Sequence, residues 1–246
     1  MEVISIKDLV ITKKSNKLLS NTLLLEHIDL SLNENEILGI VGESGSGKTM
    51  LLRSIMGLLP EGVEEKFVKK QVNGKLAMIF QNPMSALDPL CPVSRQLEEV
   101  FRFRQGLSKR KSKEKAEELL QKLGFSEDVC KEKRLPGELS GGQCQRILIA
   151  MALACQPDIL LCDEPTTALD VTVQKKTLEL IHNLQREMQF AIIFVTHNLA
   201  VAADICDRFA VMHDGRIVET GSKKEILCEP KQEYTKKLLS SILHIG

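Results

Sequence analysis

The stretch Gly42-Glu43-Ser44-Gly45-Ser46-Gly47-Lys48-Thr49 constrains this chain more than any other, because it fills every fixed position of the phosphate-binding pattern G-x-x-x-x-G-K-[ST]. Such a loop must sit between a strand and a helix. Its flanks agree: Ile37-Leu38-Gly39-Ile40-Val41 reads as a short buried strand, and Met50 to Met56 carries helical spacing until Gly57 stops it. The glycines let backbone N–H groups turn inward around phosphates. Lys48 has the reach for the β- and γ-phosphates, and the Thr49 hydroxyl can ligate Mg²⁺ at a helix N-terminus whose dipole favours anions. A glycine-rich turn before an ordinary helix is the plainer alternative, and a second motif is needed to set it aside.

Composition narrows the classes. With 246 residues and 43% hydrophobic content, the chain can bury a large α/β core or two small lobes, and disorder is not expected. Lys+Arg and Asp+Glu balance at 33 each, so no overall field attracts DNA, RNA or an acidic membrane. The longest apolar run, Ile147 to Cys155, is far short of the roughly 18 residues that read as a spanning helix. The N-terminus has neither a basic flank nor a signal core, so a cytoplasmic location is expected. Cys91, Cys130, Cys144, Cys155, Cys162, Cys206 and Cys228 show no metal-ligand spacing and read as reduced thiols, mostly small core residues. Cys144, directly after Leu139-Ser140-Gly141-Gly142-Gln143, is the one expected to be functionally sensitive to thiol modification.

Along the chain, Val3 to Ile6, Leu9 to Thr12 and Leu23 to Leu32 read as an antiparallel strand region, and Asn33-Glu34-Asn35-Glu36 as a turn. Pro60 to Lys75 reads as polar and irregular, before a strand at Leu76-Ala77-Met78-Ile79-Phe80 that ends at Gln81. Val93 to about Lys133 is helical in pattern. Its run Lys109-Arg110-Lys111-Ser112-Lys113-Glu114-Lys115 reads as a solvated helix face rather than a nucleic-acid patch, since no aromatic platform accompanies it. Next come Leu139-Ser140-Gly141-Gly142-Gln143, a helix from Gly142 to Ala154, and the strand Asp158 to Cys162 ending in Asp163-Glu164-Pro165. Asp170 caps a helix through about Met188, and the strand Ala191 to Val195 ends just before His197. A hairpin turning at Asp214-Gly215 and two short helices, Lys223 to Cys228 and Gln232 to Leu243, finish the reading.

Alternation of strand and helix argues for a parallel sheet with helices on its faces. Ligands of such sheets bind beyond the carboxyl ends of the strands, which carry Lys48, Gln81, Asp163, Glu164 and His197. These five are therefore expected to share one crevice.

Gly42–Thr49, Gln81, Leu139–Gln143, Ile159–Glu164, Ala168-Leu169-Asp170 and His197, in this order, resemble the nucleotide-binding subunit of an ABC transporter, over essentially the whole chain. The resemblance implies an α/β phosphate-loop cassette with a mostly parallel core sheet, an N-terminal antiparallel β subdomain and a helical insertion. It implies a single domain over 1–246 in two lobes, 1–90 with 155–246 as the core and 91–154 as the helical signature subdomain.

The same resemblance assigns roles. ATP and Mg²⁺ are the implied cofactors. Gly42, Glu43, Ser44, Gly45, Ser46, Gly47, Lys48 and Thr49 would cradle the phosphates; Thr49, Gln81 and Asp163 would hold the ion directly or through water. Glu164 would be the general base, with His197 and Lys48 beside it in catalysis. Ser140, Gly141, Gly142 and Gln143 would complete the site of an opposite subunit in a head-to-tail dimer, with Asp170 between the two sites.

At branch level, Phe80-Gln81-Asn82-Pro83-Met84-Ser85-Ala86-Leu87-Asp88-Pro89, Pro165 to Asp170, and Glu229-Pro230 with Glu233-Tyr234-Thr235 resemble peptide and nickel importers. That implies a peripheral subunit on the cytoplasmic face of the cell membrane. Its implied partners are a second ATPase (a paralogue, or a copy of itself), two permease subunits docking near Gln81 and the helical insertion, and an extracytoplasmic binding protein, with no nucleic acid. The end at Gly246 resembles the shorter nickel-importer type, and the short Gly57 to Phe80 segment suggests a trimmed antiparallel subdomain. No Phe, Tyr or Trp precedes Phe67, so adenine is expected to rest on an aliphatic or polar residue near Thr12. A non-transport ABC-type ATPase serving ribosomes, DNA or cluster assembly is the alternative from another class. A kinase or GTPase would leave Leu139–Gln143 and His197 without a role.

Overall fold

Five consecutive buried residues at Ile37–Val41, five at Ile159–Asp163 and six at Ala191–Thr196 form the centre of the main sheet. A strand covered on both faces needs an unbroken apolar run rather than alternation, which is why these stood out in the sequence. A computed structural model describes residues 1–14, 21–126, 133–167 and 169–243.

In chain order, β1 (Glu2–Lys13) and β2 (Thr22–Asn33) pair antiparallel, from Glu2 opposite Asn33 to Lys13 opposite Thr22. The two short stretches expected in the first of these join into one strand across a register shift between Ile6 and Leu9. Next come β3 (Ile37–Val41) and α1 (Lys48–Met56), which stops at Gly57 in the left-handed region.

The segment expected to be irregular is instead two strands, β4 (Val63–Lys66) and β5 (Lys69–Val72), which add to β1 at Val10–Lys13 and Ile4–Lys7. Their inward positions are partly filled by an ion pair, Glu65 with Lys70 at 2.7 Å, and Lys70 also donates to the Ser54 carbonyl at 2.6 Å. Charged residues that find partners at the sheet surface hid the alternation.

β6 (Leu76–Ile79) leads into a helical packet of α2 (Pro83–Ala86), α3 (Val93–Gln105), α4 (Lys109–Lys122) and α5 (Gly141–Ala154). The chain continues through β7 (Ile159–Asp163), α6 (Val171–Met188), β8 (Ala191–Thr196), α7 (Leu199–Ile205), β9 (Arg208–His213), β10 (Arg216–Ser222), α8 (Lys223–Cys228) and α9 (Glu233–Leu243). Sequence reading passed over α7, a seven-residue helix whose Asn198 cap accepts from the Ala200 and Val201 N–H groups at 3.0 and 3.3 Å.

The main sheet has the order β10-β9-β3-β8-β7-β6, parallel except for the β9–β10 hairpin. Alternate residues of β3 face opposite cores. Leu38 and Ile40 pack with Leu51 and Leu52 of α1 and with Ile4 and Ile28 of the N-terminal sheet. Ile37 and Val41 pack with Phe194, Leu178 of α6 and, through a continuous cluster, Leu97 and Ile147 of the helical packet. Each such fully buried side chain contributes about 1.5–3 kcal/mol relative to exposure. Both faces being covered, only the strand ends remain open. The carboxyl ends of β3, β6, β7 and β8 lie along one edge.

Candidate functional site

The phosphate loop leaves β3 under tight steric control. A Cβ on Gly42 would lie 2.1 Å from the Met212 carbonyl oxygen, and one on Gly47, whose φ is +102°, would lie 2.4 Å from Leu25 Cδ2. Only glycine fits at either place. Gly47 precedes α1 without a side-chain cap, so the first N–H groups of that helix face the loop.

Lys48 is buried, and its Nζ donates to the Gly42 and Glu43 carbonyls at 2.8 and 2.7 Å. Burial holds its ammonium below the ordinary lysine range, partly offset by the Glu164 and Asp163 carboxylates. Thr49 Oγ1 donates to Asp163 Oδ1 at 3.0 Å. Burial raises the Asp163 carboxyl above its ordinary range, against the Thr49 hydrogen bond, which pulls it down.

Directly after β7 the backbone of Glu164 adopts φ +47°, and its N–H donates to the Val195 carbonyl at 3.0 Å. A non-glycine residue held there is a local strain of the kind that accompanies functional sites. Glu164 Oε2 receives Thr167 Oγ1 at 2.8 Å and Gln81 Nε2 at 3.2 Å, with His197 Nδ1 at 3.1 Å. One carboxylate oxygen thus joins the ends of β6, β7 and β8. Gln81, Glu164, Thr167 and His197 line a cleft of about 490 Å³ with Glu43 and Ser44 of the loop and Lys237 and Leu238 of α9.

The structure therefore brings Lys48, Thr49, Gln81, Asp163, Glu164 and His197 together. Ser140, Gly141, Gly142 and Gln143 line no part of this cleft. They open α5, where Ser140 and Gln143 bond reciprocally: the Gln143 N–H donates to Ser140 Oγ at 3.3 Å, and the Ser140 N–H to Gln143 Oε1 at 2.8 Å. Gly142 lies under Val173, whose Cγ1 would be 2.6 Å from an added Cβ. Asp170 caps α6 by accepting the Val173 N–H at 3.0 Å. Ala168, between Glu164 and Asp170, and Cys130 lie outside the described residues.

The expectation of a sensitive Cys144 is corrected. Its side chain is fully buried, its Sγ donates to the Pro136 carbonyl at 3.4 Å, and burial raises the thiol pKa, so it is a core residue of the helical packet. Sequence reasoning also passed over Thr167 as a partner of Glu164, and the cleft contribution of α9. The one tyrosine of the chain was the available signal for the latter. Tyr234 Oη accepts the Glu43 N–H at 3.1 Å, and its ring stacks on His213 with centroids 3.9 Å apart.

The sequence model described as ABC transporter matches residues 25–167, more than half of the chain. The chain belongs to the ABC transporter family. It is 42% identical over 233 residues to the Streptococcus pneumoniae "Oligopeptide transport ATP-binding protein AmiE", covering 87% of this chain and 66% of that protein. It is 40% identical over 258 residues to the Bacillus subtilis "Oligopeptide transport ATP-binding protein OppD", covering 98% of this chain and 72% of the relative. The chain thus spans roughly two thirds of the length of these relatives. A solved dimer of the ATP-binding cassette MJ0796, in a post-hydrolysis state bound to ADP and Pi, superposes with a TM-score of 0.75 at 29% identity, covering 89% of this chain and 98% of that one.

ATP with Mg²⁺ is the ligand pair against which the site of this ABC transporter chain is tested, and the neighbouring cassette was solved with ADP and Pi bound. The residues of this chain fit the pair. The donors beside the loop are the Thr49 hydroxyl and the Asp163 carboxylate, with the Gln81 amide in the adjoining cleft, and among the described residues no cluster of three His, Cys, Asp or Glu forms a closed metal cage. A hard ion that keeps water and phosphate oxygens in its shell needs such an open set. Among the described residues, no helix is long and apolar enough to cross a membrane.

Proposed function

We propose that this chain energises an ABC importer, with peptides as the cargo favoured by its relatives' names and nickel as the further candidate from the branch resemblance. The observation that carries the catalytic part is the Thr49–Asp163 contact beside a Glu164 carboxylate gathered by Thr167, Gln81 and His197.

When bound, Mg²⁺ and ATP supply the reacting phosphoryl group and its charge balance. Lys48 exchanges its hold on the Gly42 and Glu43 carbonyls for phosphate oxygens, and the inward N–H groups of the loop hold the rest. Thr49 and Asp163 take the ion side, joined by Gln81. Glu164 accepts the proton of the attacking water, while His197 fixes the carboxylate and orients that water.

Ser140–Gln143 line no part of their own cleft, which fits a role in the site of a second subunit. That partner is a paralogue or a copy of this chain, and closure of the head-to-tail pair completes each site. A groove of about 580 Å³ between β6 and the helical packet carries exposed Phe80 and Phe103, beside Gln81. It suits a cytoplasmic segment of the two permease subunits; on this reading the chain works at the inner membrane face, with an extracytoplasmic binding protein choosing the cargo.

Two experiments test the reading. Glu164→Gln should lose about 10²- to 10⁴-fold in turnover while retaining ATP and accumulating a closed dimer by size-exclusion chromatography. Rapid hydrolysis by that variant removes Glu164 from the base role. Pull-down from detergent-solubilised host membranes should recover two permeases and a second ATPase. Recovery of ribosomes or DNA instead overturns the transport assignment and leaves the ATPase chemistry standing.

A further inference from the structure

The peptide unit between Gly42 and Glu43 is held at both ends. Its carbonyl accepts Lys48 Nζ at 2.8 Å, and its N–H donates to Tyr234 Oη at 3.1 Å. A peptide is planar, so its C=O and N–H point in opposite directions, and two partners on opposite sides fix the plane. Lys48 belongs to the nucleotide chemistry. Tyr234 stands almost two hundred positions further along the chain, on α9.

Several contacts hold Tyr234 in place. Its ring stacks on His213 at the end of β9, with 22° between the planes. The turn after His213 grips the same loop, since the Gly215 N–H donates to the Ser46 carbonyl at 3.2 Å. The start of α9 is tied to β10, because the Glu219 carboxylate accepts the Lys231 and Gln232 N–H groups at 2.8 and 3.1 Å. Thr235, next to Tyr234, is fully buried. The hydroxyl therefore presents its acceptor to Glu43 from a preset position.

We infer that Tyr234 is a positioning residue of the phosphate loop: it keeps the Gly42–Glu43 peptide in its phosphate-ready orientation when Lys48 is drawn from the Gly42 carbonyl to bound ATP. The inference rests on the nucleotide-site reading above. Without the hydroxyl, the N–H of Glu43 loses its acceptor, so in the nucleotide-free chain the plane is held from the Lys48 side alone and the loop loosens, and once Lys48 leaves the peptide is free to rotate. Ordering the loop then falls on the binding step, so the deficit belongs to ATP affinity and not to chemistry on bound ATP.

Tyr234→Phe keeps the ring and its stack on His213 and deletes only the acceptor. In the full chain, the Kd for ATP with Mg²⁺ and the KM for ATP are expected to rise about 3- to 10-fold, the loss of one hydrogen bond. The kcat at saturating ATP should stay within about twofold. Amide exchange of the nucleotide-free 42–47 segment should rise severalfold, and Lys236→Ala on the same helix should change none of these. Wild-type protein that fails to bind ATP would defeat the nucleotide-site reading itself. Wild-type binding with unchanged Kd and unchanged 42–47 exchange in Tyr234→Phe overturns the positioning role alone, as does a fall confined to kcat. If Tyr234→Phe also lowers the unfolding temperature, the exchange of 42–47 relative to that of β3 decides: uniform acceleration overturns the role, and acceleration confined to the loop supports it.

Discussion

Thr167 donates to Glu164 Oε2 at 2.8 Å, the shortest of the three contacts converging on that oxygen. The hydroxyl reaches it because the chain leaves β7 through a left-handed Glu164 and turns back within three residues. Thr167→Val keeps the shape and removes the donor. If Glu164 is the base as proposed, kcat is expected to fall roughly tenfold with the KM for ATP within twofold, since the bond aligns that carboxylate and does not touch the phosphate loop. Steady-state phosphate release measures both, and an unchanged kcat would mean that Gln81 and His197 suffice.

Gly42→Ala places a methyl group against the Met212 carbonyl, where 2.1 Å is available. Backbone cannot yield as a side-chain tip can. The expected cost is about 1–3 kcal/mol, seen as a drop of several degrees in thermal unfolding, together with loss of ATP binding. Gly45→Ala, where no atom lies within 4 Å, should cost less, its φ of +84° being the sole obstacle.

Asp163 stores a pH-dependent cost. Burial raises its carboxyl above the ordinary range, so the folded chain holds that proton more tightly than the unfolded chain does. Its stabilising contribution is complete below the ordinary carboxylate pKa and is lost as pH rises through the raised value. At neutral pH, Asp163→Asn should therefore melt a few degrees above wild type without nucleotide, while its Mg²⁺ requirement for ATP hydrolysis rises. The melting difference should vanish as the pH falls toward the ordinary carboxylate value. Melting curves across pH test the sign, and a variant that melts below wild type at pH 7 refutes it.

Thiol labelling distinguishes the cysteines by burial. Among the described cysteines, Cys228 is exposed and should react first; Cys91 and Cys155 are half-buried with raised pKa values and should lag. Cys144, Cys162 and Cys206 should stay protected until unfolding. Complete labelling of Cys228 should leave turnover within twofold. Peptide mass spectrometry of the native protein checks the order, and early modification of Cys144 would contradict its place in the core.

The acidic strand end and the glycine-rich loop were legible in the sequence because each is a local pattern that admits few residue types. Lys48 and Thr49 sit at fixed offsets from their glycines, and Asp163-Glu164 end a strand too apolar to be anything but buried. β4 and β5 were not legible, because Glu65 and Lys70 satisfy each other at positions that read as exposed. The short α7 escaped because seven residues give too little periodicity to separate from the loop after His197.

By itself the sequence determined the parallel core, the order of the motifs and the glycine-rich turn between β3 and α1, since these rest on local patterns repeated within a few residues. Only the tertiary structure decided that Cys144 is buried, that Thr167 donates to Glu164, and that Tyr234 holds the peptide Lys48 also holds. Each of those depends on where distant or reversed segments meet in space. Burial and hydrogen-bond partnership are properties of that meeting, and residue spacing along the chain does not encode them.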